Sequence, residues 1–411
     1  MSNALTALNK EYWASQLQEV WFKENVARAL SDTHYEAVLS DGDTLNLPYT
    51  GFPQVQTYTK DTAVTPDSRY STSEALSVDT TKIVPSYYDK IDKIQNSYQW
   101  MTDEATKAMK SLNNVIDQAV LGEYSNAGSD VYAADVGSSG ATTAITLNTS
   151  AVHPIFAALA RKLNANDIPQ EQRFAVIGPK MKEQLALYIA GKDTSYADQV
   201  GLSGLVTKRF GFDIYYSNNV PFTATLGMAT APTVLDTITI NGAVLEFATD
   251  ADVVSDDSYI GILRGGNVDV DRAALVAAIN QSGTVGTTYS DPDAENNLAR
   301  WKLTKAGVVA TNANDTDVMT IVAYGDIAVS SDLSDGTDAW TSQQSHILAG
   351  RKGSIMLLTQ KSPSVEIHDT GGDITPKLGM NILTWTLFGK KTPTRAADAL
   401  VSAHINASAW T

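Results

Sequence analysis

Apolar residues recur in steps of three and four at Ile91, Ile94, Tyr98, Met101, Ala105, Ala108, Leu112, Val115 and Ala119. That spacing is one face of a helix, and it predicts a single long element between Pro85 and Gly122. From Met109 the stripe widens to take in Ile116 and Val120, so the C-terminal half is expected against a sheet or core. Thr102, followed by Asp103 and Glu104, has the form of a fresh N-cap with an acidic first turn, and it admits a break there. Unbroken, the helix would span about 50 Å at ~1.5 Å per residue. The spacing also fits coiled-coil heptads, but Tyr98, Ala105, Ala108 and Ala119 make a poor zipper seam. A spine lying across a mixed domain is the favoured reading.

Upstream, Trp13, Leu17, Val20, Trp21 and Leu30 mark an amphipathic helix over residues 9–30, with Asn9 as its cap. Two tryptophans so near the terminus call for a partner surface, on a neighbouring subunit or on the chain's own body. Leu45 and Leu47, then Leu76 and Val78, alternate with polar residues and predict two strands. Between them lie roughly 25 residues rich in Thr, Ser, Pro and Tyr, too poor in aliphatics to offset the entropy of ordering a core. They read as a two-stranded arm reaching away from the body toward another chain.

After the spine comes a Gly/Ser/Ala-rich connector, Ser125 to Ser150. A helix opened by His153-Pro154 follows, with Ile155, Leu159 and Leu163 on its buried face. Phe174 to Ile177 reads as a buried strand, and Gly178-Pro179 opens a helix carrying Met181, Leu185, Tyr188 and Ile189. A strand over Phe212 to Tyr216 then runs into the turn residues Asn218, Asn219 and Pro221. TITINGAVLEFA places Asn241-Gly242 between two apolar runs, a strong hairpin signal. VDVDRAALVAAIN reads as a helix capped by Asp269 or Asp271, and VMTIVAYG and IAVS as strands. GSIMLLTQ, SVEIHDT and NILTWTLFG are further strands, with a Gly371-Gly372 turn before a projecting ITPKLGMN loop. The C-terminus is short and mixed.

Charge changes this picture in one place. The chain has 411 residues and a formal net charge of -16. Residues 232–338 hold 17 Asp+Glu against 5 Lys+Arg, a balance of -12, which marks an inserted acidic domain of ββ, α, then β pattern. The rest is nearly neutral and has no concentrated basic patch, so phosphate-directed binding is not indicated.

Candidate chemistry is sparse. There is no cysteine, which excludes disulfides, thiolate catalysis and Cys-ligated zinc. No nucleotide-binding, zinc-protease or serine-hydrolase motif occurs, and Gly201-Leu202-Ser203-Gly204 lacks phosphate-loop context. His34, His153, His346, His368 and His404 stand far apart and read as ordinary surface or core histidines. Asp291, Asp293 and Glu295 begin like a calcium loop, but Asn296 and Lys302 stand where glycine and glutamate are needed. Asp250, Asp252, Asp256 and Asp257 fail likewise. No catalytic, cofactor-binding or metal residue is assigned and no cofactor is expected. No apolar run approaches the ~18 residues of a membrane span, and the N-terminus lacks a secretory pattern, so a soluble chain is expected.

The order of N-terminal helix, polar two-stranded arm, spine helix and interrupted α/β body resembles the tailed-bacteriophage major capsid proteins of the Hong Kong 97-type fold. RFAVIGPKMKEQLALY resembles that family's axial-domain strand and helix, and GFDIYYSNNVP its following strand and turn. GSIMLLTQKSPSVEIHD and LFGKKTPTRAADAL resemble its closing peripheral strands. The resemblance implies an α+β fold with an N-terminal arm at 1–42 and an E-loop at 43–84. It implies a peripheral domain with the spine at 85–170 and 340–411, an axial domain at 171–231 and an inserted α+β domain at 232–339. It further implies a non-enzymatic protein that assembles with itself, as hexamers and pentamers, into an icosahedral shell around double-stranded DNA. A separate scaffolding protein, a portal and decoration proteins are the expected partners, with assembly in the host cytoplasm and residence in the virion. Lys60 is the candidate, by location only, for the family's occasional Lys–Asn cross-link. The insert is expected on the outer face of the shell, away from DNA of like charge. The alternatives are an encapsulin-type bacterial nanocompartment of the same fold, and a secreted acidic adhesin.

Overall fold

The computed structural model describes Lys23, residues 25–38, 42–51, Pro53, and residues 55–66, 71–89, 100–192, 208–250, 254–290, 298–313, 317–335, 338–369 and 379–408. Outside them lie Trp13, Leu17, Val20 and Trp21, the spine positions Ile91, Ile94 and Tyr98, and the glycines at 201 and 204. Asp291, Asp293, Glu295 and the Gly371-Gly372 turn also fall there.

The predicted alternation produces the arm. In β1 (Thr44–Thr50) Leu45, Leu47 and Tyr49 are half-buried while their neighbours are exposed, a period of two. It pairs antiparallel with β2 (Ser71–Ser77), Leu45 opposite Leu76. The next strand, β3 (Thr80–Asp89), moves the start of the spine, because Pro85 to Asp89 are strand and not helix. They can be so because β3 is an edge strand, where the missing N–H of Pro85 is tolerated. Among the described residues the spine helix runs unbroken over Trp100–Leu121, 22 residues and about 33 Å, so the chain has no break at Thr102. At its other end, the expected N-terminal helix is helical only at Ala27–Leu30 among its described residues.

Within the Gly/Ser/Ala connector, β4 (Ser129–Val131) and β5 (Ile145–Thr146) are short strands. A helix follows over Val152–Ala165, then β6 (Arg173–Ile177) and the helix Pro179–Ala190, whose N-cap is Gly178. Next come β7 (Lys208–Arg209), β8 (Phe212–Tyr216) and β9 (Pro221–Gly227). The acidic segment gives β10 (Thr237–Ile240) and β11 (Ala243–Ala248), turned by Asn241 and Gly242 at φ 52° and 74° as a two-residue hairpin requires. It continues with β12 (Ile260–Leu263), the helices Val268–Asn280 and Leu298–Ala306, β13 (Val309–Ala313), β14 (Val318–Tyr324) and β15 (Val329–Asp332). The cap of its first helix is Asn267, whose side chain accepts from the Asp269 amide. Asp269 and Asp271 occupy the first turn, where their charge suits the helix dipole.

The chain closes with β16 (Trp340–Arg351), β17 (Met356–Asp369), β18 (Gly379–Lys391) and β19 (Leu400–Asn406). Two expected strands, GSIMLLTQ and SVEIHDT, merge into β17, whose register shifts twice around Pro363. The mixed C-terminus hides β19, which is almost entirely buried.

Four strands build the centre. β16 pairs with β6, β9 and β19 in a ten-stranded sheet, so residues 340–351 and 400–406 share a sheet with residues 171–231. Alternation splits β6 between two cores. Ala175 and Ile177 join the helices Val152–Ala165 and Pro179–Ala190 on one face, while Phe174 and Val176 meet the spine at Ile116, Val120 and Leu121 on the other. The widened stripe of the spine therefore packs on this sheet. β14 also pairs with β9, so the acidic segment extends the sheet of the body, while β12, β11, β10 and β15 form its own four-stranded sheet. A third sheet, β17-β18-β3, carries the arm.

Candidate assembly surfaces

Among the described residues, the arm is attached at its root. Leu76 and Val78 bury against Leu358, with Leu45, Leu47, Met356 and Leu387 around them. Polar ties then run from the chain's last third to the arm backbone. Lys391 Nζ donates to the Ala75 carbonyl at 2.7 Å, Arg395 Nη2 to the Thr50 carbonyl at 2.7 Å, and the Thr394 amide to Glu74 at 3.1 Å. The Arg395 guanidinium also lies 4.2 Å over the Tyr49 ring. Bonds from Thr394, joined by Lys391, hold the Glu74 carboxyl below its ordinary range. Contact is closest at Gly389, where any Cβ would stand 2.3 Å from the Ser77 carbonyl oxygen. Only glycine lets the arm root cross β18 there.

Beyond the root the arm touches little of its own subunit. Residues 55–66 are exposed throughout, including Val55 at 100%, Tyr58 at 66% and Val64 at 54%. The segment folds back through a turn at Lys60 and Asp61, with Gln56 Nε2 donating to the Thr65 carbonyl at 3.0 Å. β3 leaves Ile83 and Tyr87 more than 40% exposed as well. Lone exposed apolar residues are ordinary. Among the described residues, the outer arm carries three of them and buries none against its own subunit.

A second extension is fixed by a buried carboxylate. Asp117 sits on the packed side of the spine and is fully buried. Its Oδ1 accepts from the Val26 and Ala27 amides at 2.7 Å each, and its Oδ2 from Asn219 Nδ2 at 2.7 Å and Ser217 Oγ at 3.4 Å. Asp117 thus serves as the cap that the Ala27–Leu30 turn lacks on its own chain segment. Burial raises the Asp117 carboxyl above its ordinary range against the pull of these bonds. Beside it, Lys23 Nζ donates to the Tyr324 carbonyl at 2.7 Å, and burial with the nearby Lys305 lowers its ammonium to about 8. The N-terminal segment is therefore tied to the spine, to the Asn218-Asn219 turn and to β14 together. Sequence reading did not single out Asp117; the available signal was an acid set between Ile116 and Val120 on the widened stripe.

A family model described as phage capsid protein matches residues 54–277, more than half of the chain. The chain belongs to the phage capsid protein family. It is a structural, shell-forming protein of a tailed phage, a major capsid protein, and its place is the virion capsid. Solved structures agree on the fold. The structure of Mycobacterium phage Che8 matches with a TM-score of 0.57 at 14% identity, covering 98% of each chain. The capsid of the Cyanophage P-SCSP1u matches at 0.53 and 13%, covering 98% of this chain and 94% of that one. The head of Helicobacter pylori bacteriophage KHP40 matches at 0.50 and 10%, covering 99% and 98%. No curated protein matches the chain. The fold is the Hong Kong 97-type α+β capsid fold, and the encapsulin alternative is not favoured.

In this capsid protein the fold brings together two histidines that stand far apart in sequence. His346 and His404 face each other across β16 and β19, with ring centroids 4.7 Å apart. His346 Nε2 lies 2.8 Å from Thr223 Oγ1, and its ring stacks on Tyr124 at 4.2 Å. His404 lies between Asp130 at 3.0 Å and Gln344 at 3.1 Å and stacks on Tyr132. Burial, with His404 adjacent, lowers His346 to about 3, so its ring is neutral at physiological pH. Closed in by stacked rings, the pair locks β9, β16 and β19 together. His153 packs among Tyr188 and Phe210, and His34 lies edge-on to Tyr35. His368 lies on β17. Among the acids singled out by sequence, Asp256 accepts from the Ser258 amide and hydroxyl. No metal-ligating cluster occurs among the described residues, and no described helix is long and apolar enough to cross a membrane.

Proposed function

We propose that the arm works as an intersubunit strap and that the shell it closes holds double-stranded DNA. The carrying observation is the contrast along the arm, with a root bonded to residues 387–395 and a fully exposed outer segment bearing Val55, Tyr58 and Val64. Laid over a neighbour, that segment buries apolar surface only in the assembly. Weak contacts of this kind, repeated around closed rings of hexamers and pentamers, add up to a stable shell. The neutral body and acidic insert offer no base-reading surface, so the genome is enclosed without sequence-specific binding. The division into N-terminal arm, E-loop, peripheral, axial and inserted parts is read at 1–42, 43–84, 85–170 with 340–411, 171–231 and 232–339.

The insert, with its balance of -12, is placed on the outer face, where like-charged DNA does not confront it. A separate scaffolding protein, a portal and decoration proteins complete the assembly, which proceeds in the host cytoplasm. The protein performs no turnover, and Lys60, at the exposed turn of the arm, is the position from which a cross-link to a neighbour's asparagine would start.

The test replaces residues 52–69 by a short turn. The subunit is expected to fold with an unchanged urea midpoint and to form no closed particles, scored by electron microscopy. Closed shells from this variant would remove the arm from the assembly contact. In wild-type particles a density map is expected to show the insert outside, and insert density lining the lumen would overturn its placement.

A further inference from the structure

A cavity of about 250 Å³ opens where the ten-stranded sheet ends. β19 stops at Asn406, opposite Gln344, while β16 runs on to Trp340 along β9 with a register shift between Trp340 and Ser342. Such bulges re-aim side chains and are common beside binding sites. The strand end leaves a notch walled by residues 340–344, by Asn406 and Ser408, and by residues 142–144 before β5. Thr142, Thr143, Thr341 and Ser408 are the exposed members of this lining, and Ser342, Gln344 and Asn406 are half-buried.

Eight of the ten lining residues carry a hydroxyl or a side-chain amide, the other two are Ala144 and Trp340, and none is charged. With no cation or carboxylate in its wall, the cavity suits neither a phosphate nor a hard metal ion. Its polar groups are also held in place. Gln344 is pinned at both ends, with Oε1 3.1 Å from His404 Nδ1 and Nε2 donating to Ser342 Oγ at 3.0 Å. Ser342 therefore keeps its hydroxyl proton to donate. Asn406 Oδ1 accepts from the Ser408 amide at 2.9 Å and hydroxyl at 2.6 Å, which turns the Asn406 Nδ2 group to the donor's role. In the same wall Trp340 Nε1 and Gln343 Oε1 are buried with no partner among the described residues, so the wall is short of hydrogen-bond partners.

We propose that this cavity is a saccharide site that takes one neutral sugar ring. A sugar sets hydroxyls that both donate and accept around an uncharged ring, which answers Ser342, Asn406 and the exposed threonines. Trp340 supplies the one aromatic side chain of the wall, an apolar body with a polar tip. Size limits the occupant: the cavity falls short of the ~300–1,000 Å³ of drug-sized sites and far exceeds the ~30 Å³ share of one water. One ring seats, and the rest of a longer glycan lies outside. The cavity lies at the base of the insert, since Trp340 also packs against the insert core. On the outer-face placement proposed for the insert, repetition over the shell turns one weak sugar contact into multivalent attachment.

Saturation-transfer NMR on assembled particles tests this with glucose, galactose and N-acetylglucosamine, and with N-acetylneuraminic acid as the charged control. At least one neutral sugar is expected to take up saturation, and the acidic sugar none. Ser342→Ala and Asn406→Ala each remove a donor and are expected to weaken binding about tenfold. Thr142→Trp, at an exposed position, is expected to block the cavity and abolish the signal, and it serves if either alanine variant fails to assemble. Absence of transfer to every neutral sugar at about 10 mM would overturn the proposal. Transfer that persists undiminished in Asn406→Ala and Thr142→Trp, or that is equal for the acidic sugar, would overturn it too. The sugar readout does not depend on the insert's placement, which a density map decides.

Discussion

The arm and the acidic insert leave the same body and are held in opposite ways. The arm has one small apolar cluster at its root, around Leu76, Val78 and Leu358, and beyond it residues 55–66 lie open to solvent. The insert carries a core of its own, in which Ile238, Ile240, Leu245, Phe247, Ile260, Ile262 and Leu275 pack together, and that core runs on through β14 of the insert into β9 of the body. Composition explains the difference. Thr, Ser and Pro give the arm little apolar area to offset ordering entropy, whereas the insert has enough Ile, Leu, Val and Phe to fold against the sheet. The insert therefore buries a core within the subunit, while the outer arm among the described residues does not.

The largest effect expected from breaking this contrast lies in the insert. Phe247 is fully buried on β11, and Phe247→Ala should cost about 3–5 kcal/mol through lost burial and a residual cavity. Urea unfolding of the unassembled subunit measures it. A loss under 1 kcal/mol would mean that the insert core is not part of the cooperative unit.

The seam that carries the insert should also respond to acid. Thr223 on β9 meets His346 on β16, and burial keeps His346 unprotonated down to about 3, whereas the unfolded ring takes up a proton near 6.5. Unfolding therefore binds a proton in that window, and stability falls as pH drops from about 6.5 toward 3, by up to about 1.4 kcal/mol per pH unit for this group. Replacing His346 by Phe should flatten that part of the pH profile of the urea midpoint. An unchanged slope would take the pH sensitivity away from this seam.

At the arm the expected effect on the subunit is smallest. Val55→Ser with Tyr58→Ser should leave the urea midpoint within about 0.5 kcal/mol of wild type, as for exposed positions elsewhere. The same double variant should raise the subunit concentration needed to form shells, read by light scattering. Assembly at the wild-type concentration would place the strap's contact elsewhere on the arm.

Much of this fold follows from period and punctuation. The alternation at Leu45 and Leu47 determined the arm strand, Asn241-Gly242 the insert hairpin, Gly178-Pro179 a helix start, and the 108–120 stripe the packed half of the spine. Local chemistry sufficed there because side-chain period and turn residues act within a few positions. Tertiary structure decided what depends on distant partners. Pro85 to Asp89 became strand because β18 offered an edge, and the mixed tail LVSAHIN became β19 because β16 lay open beside it. Asp117 became a cap for amides about 90 residues away, and His346 met His404 across 58 positions. The acids of the insert announced a separate unit by composition, yet β14 joined the sheet of the body, because backbone pairing depends on which edge is free and is indifferent to net charge.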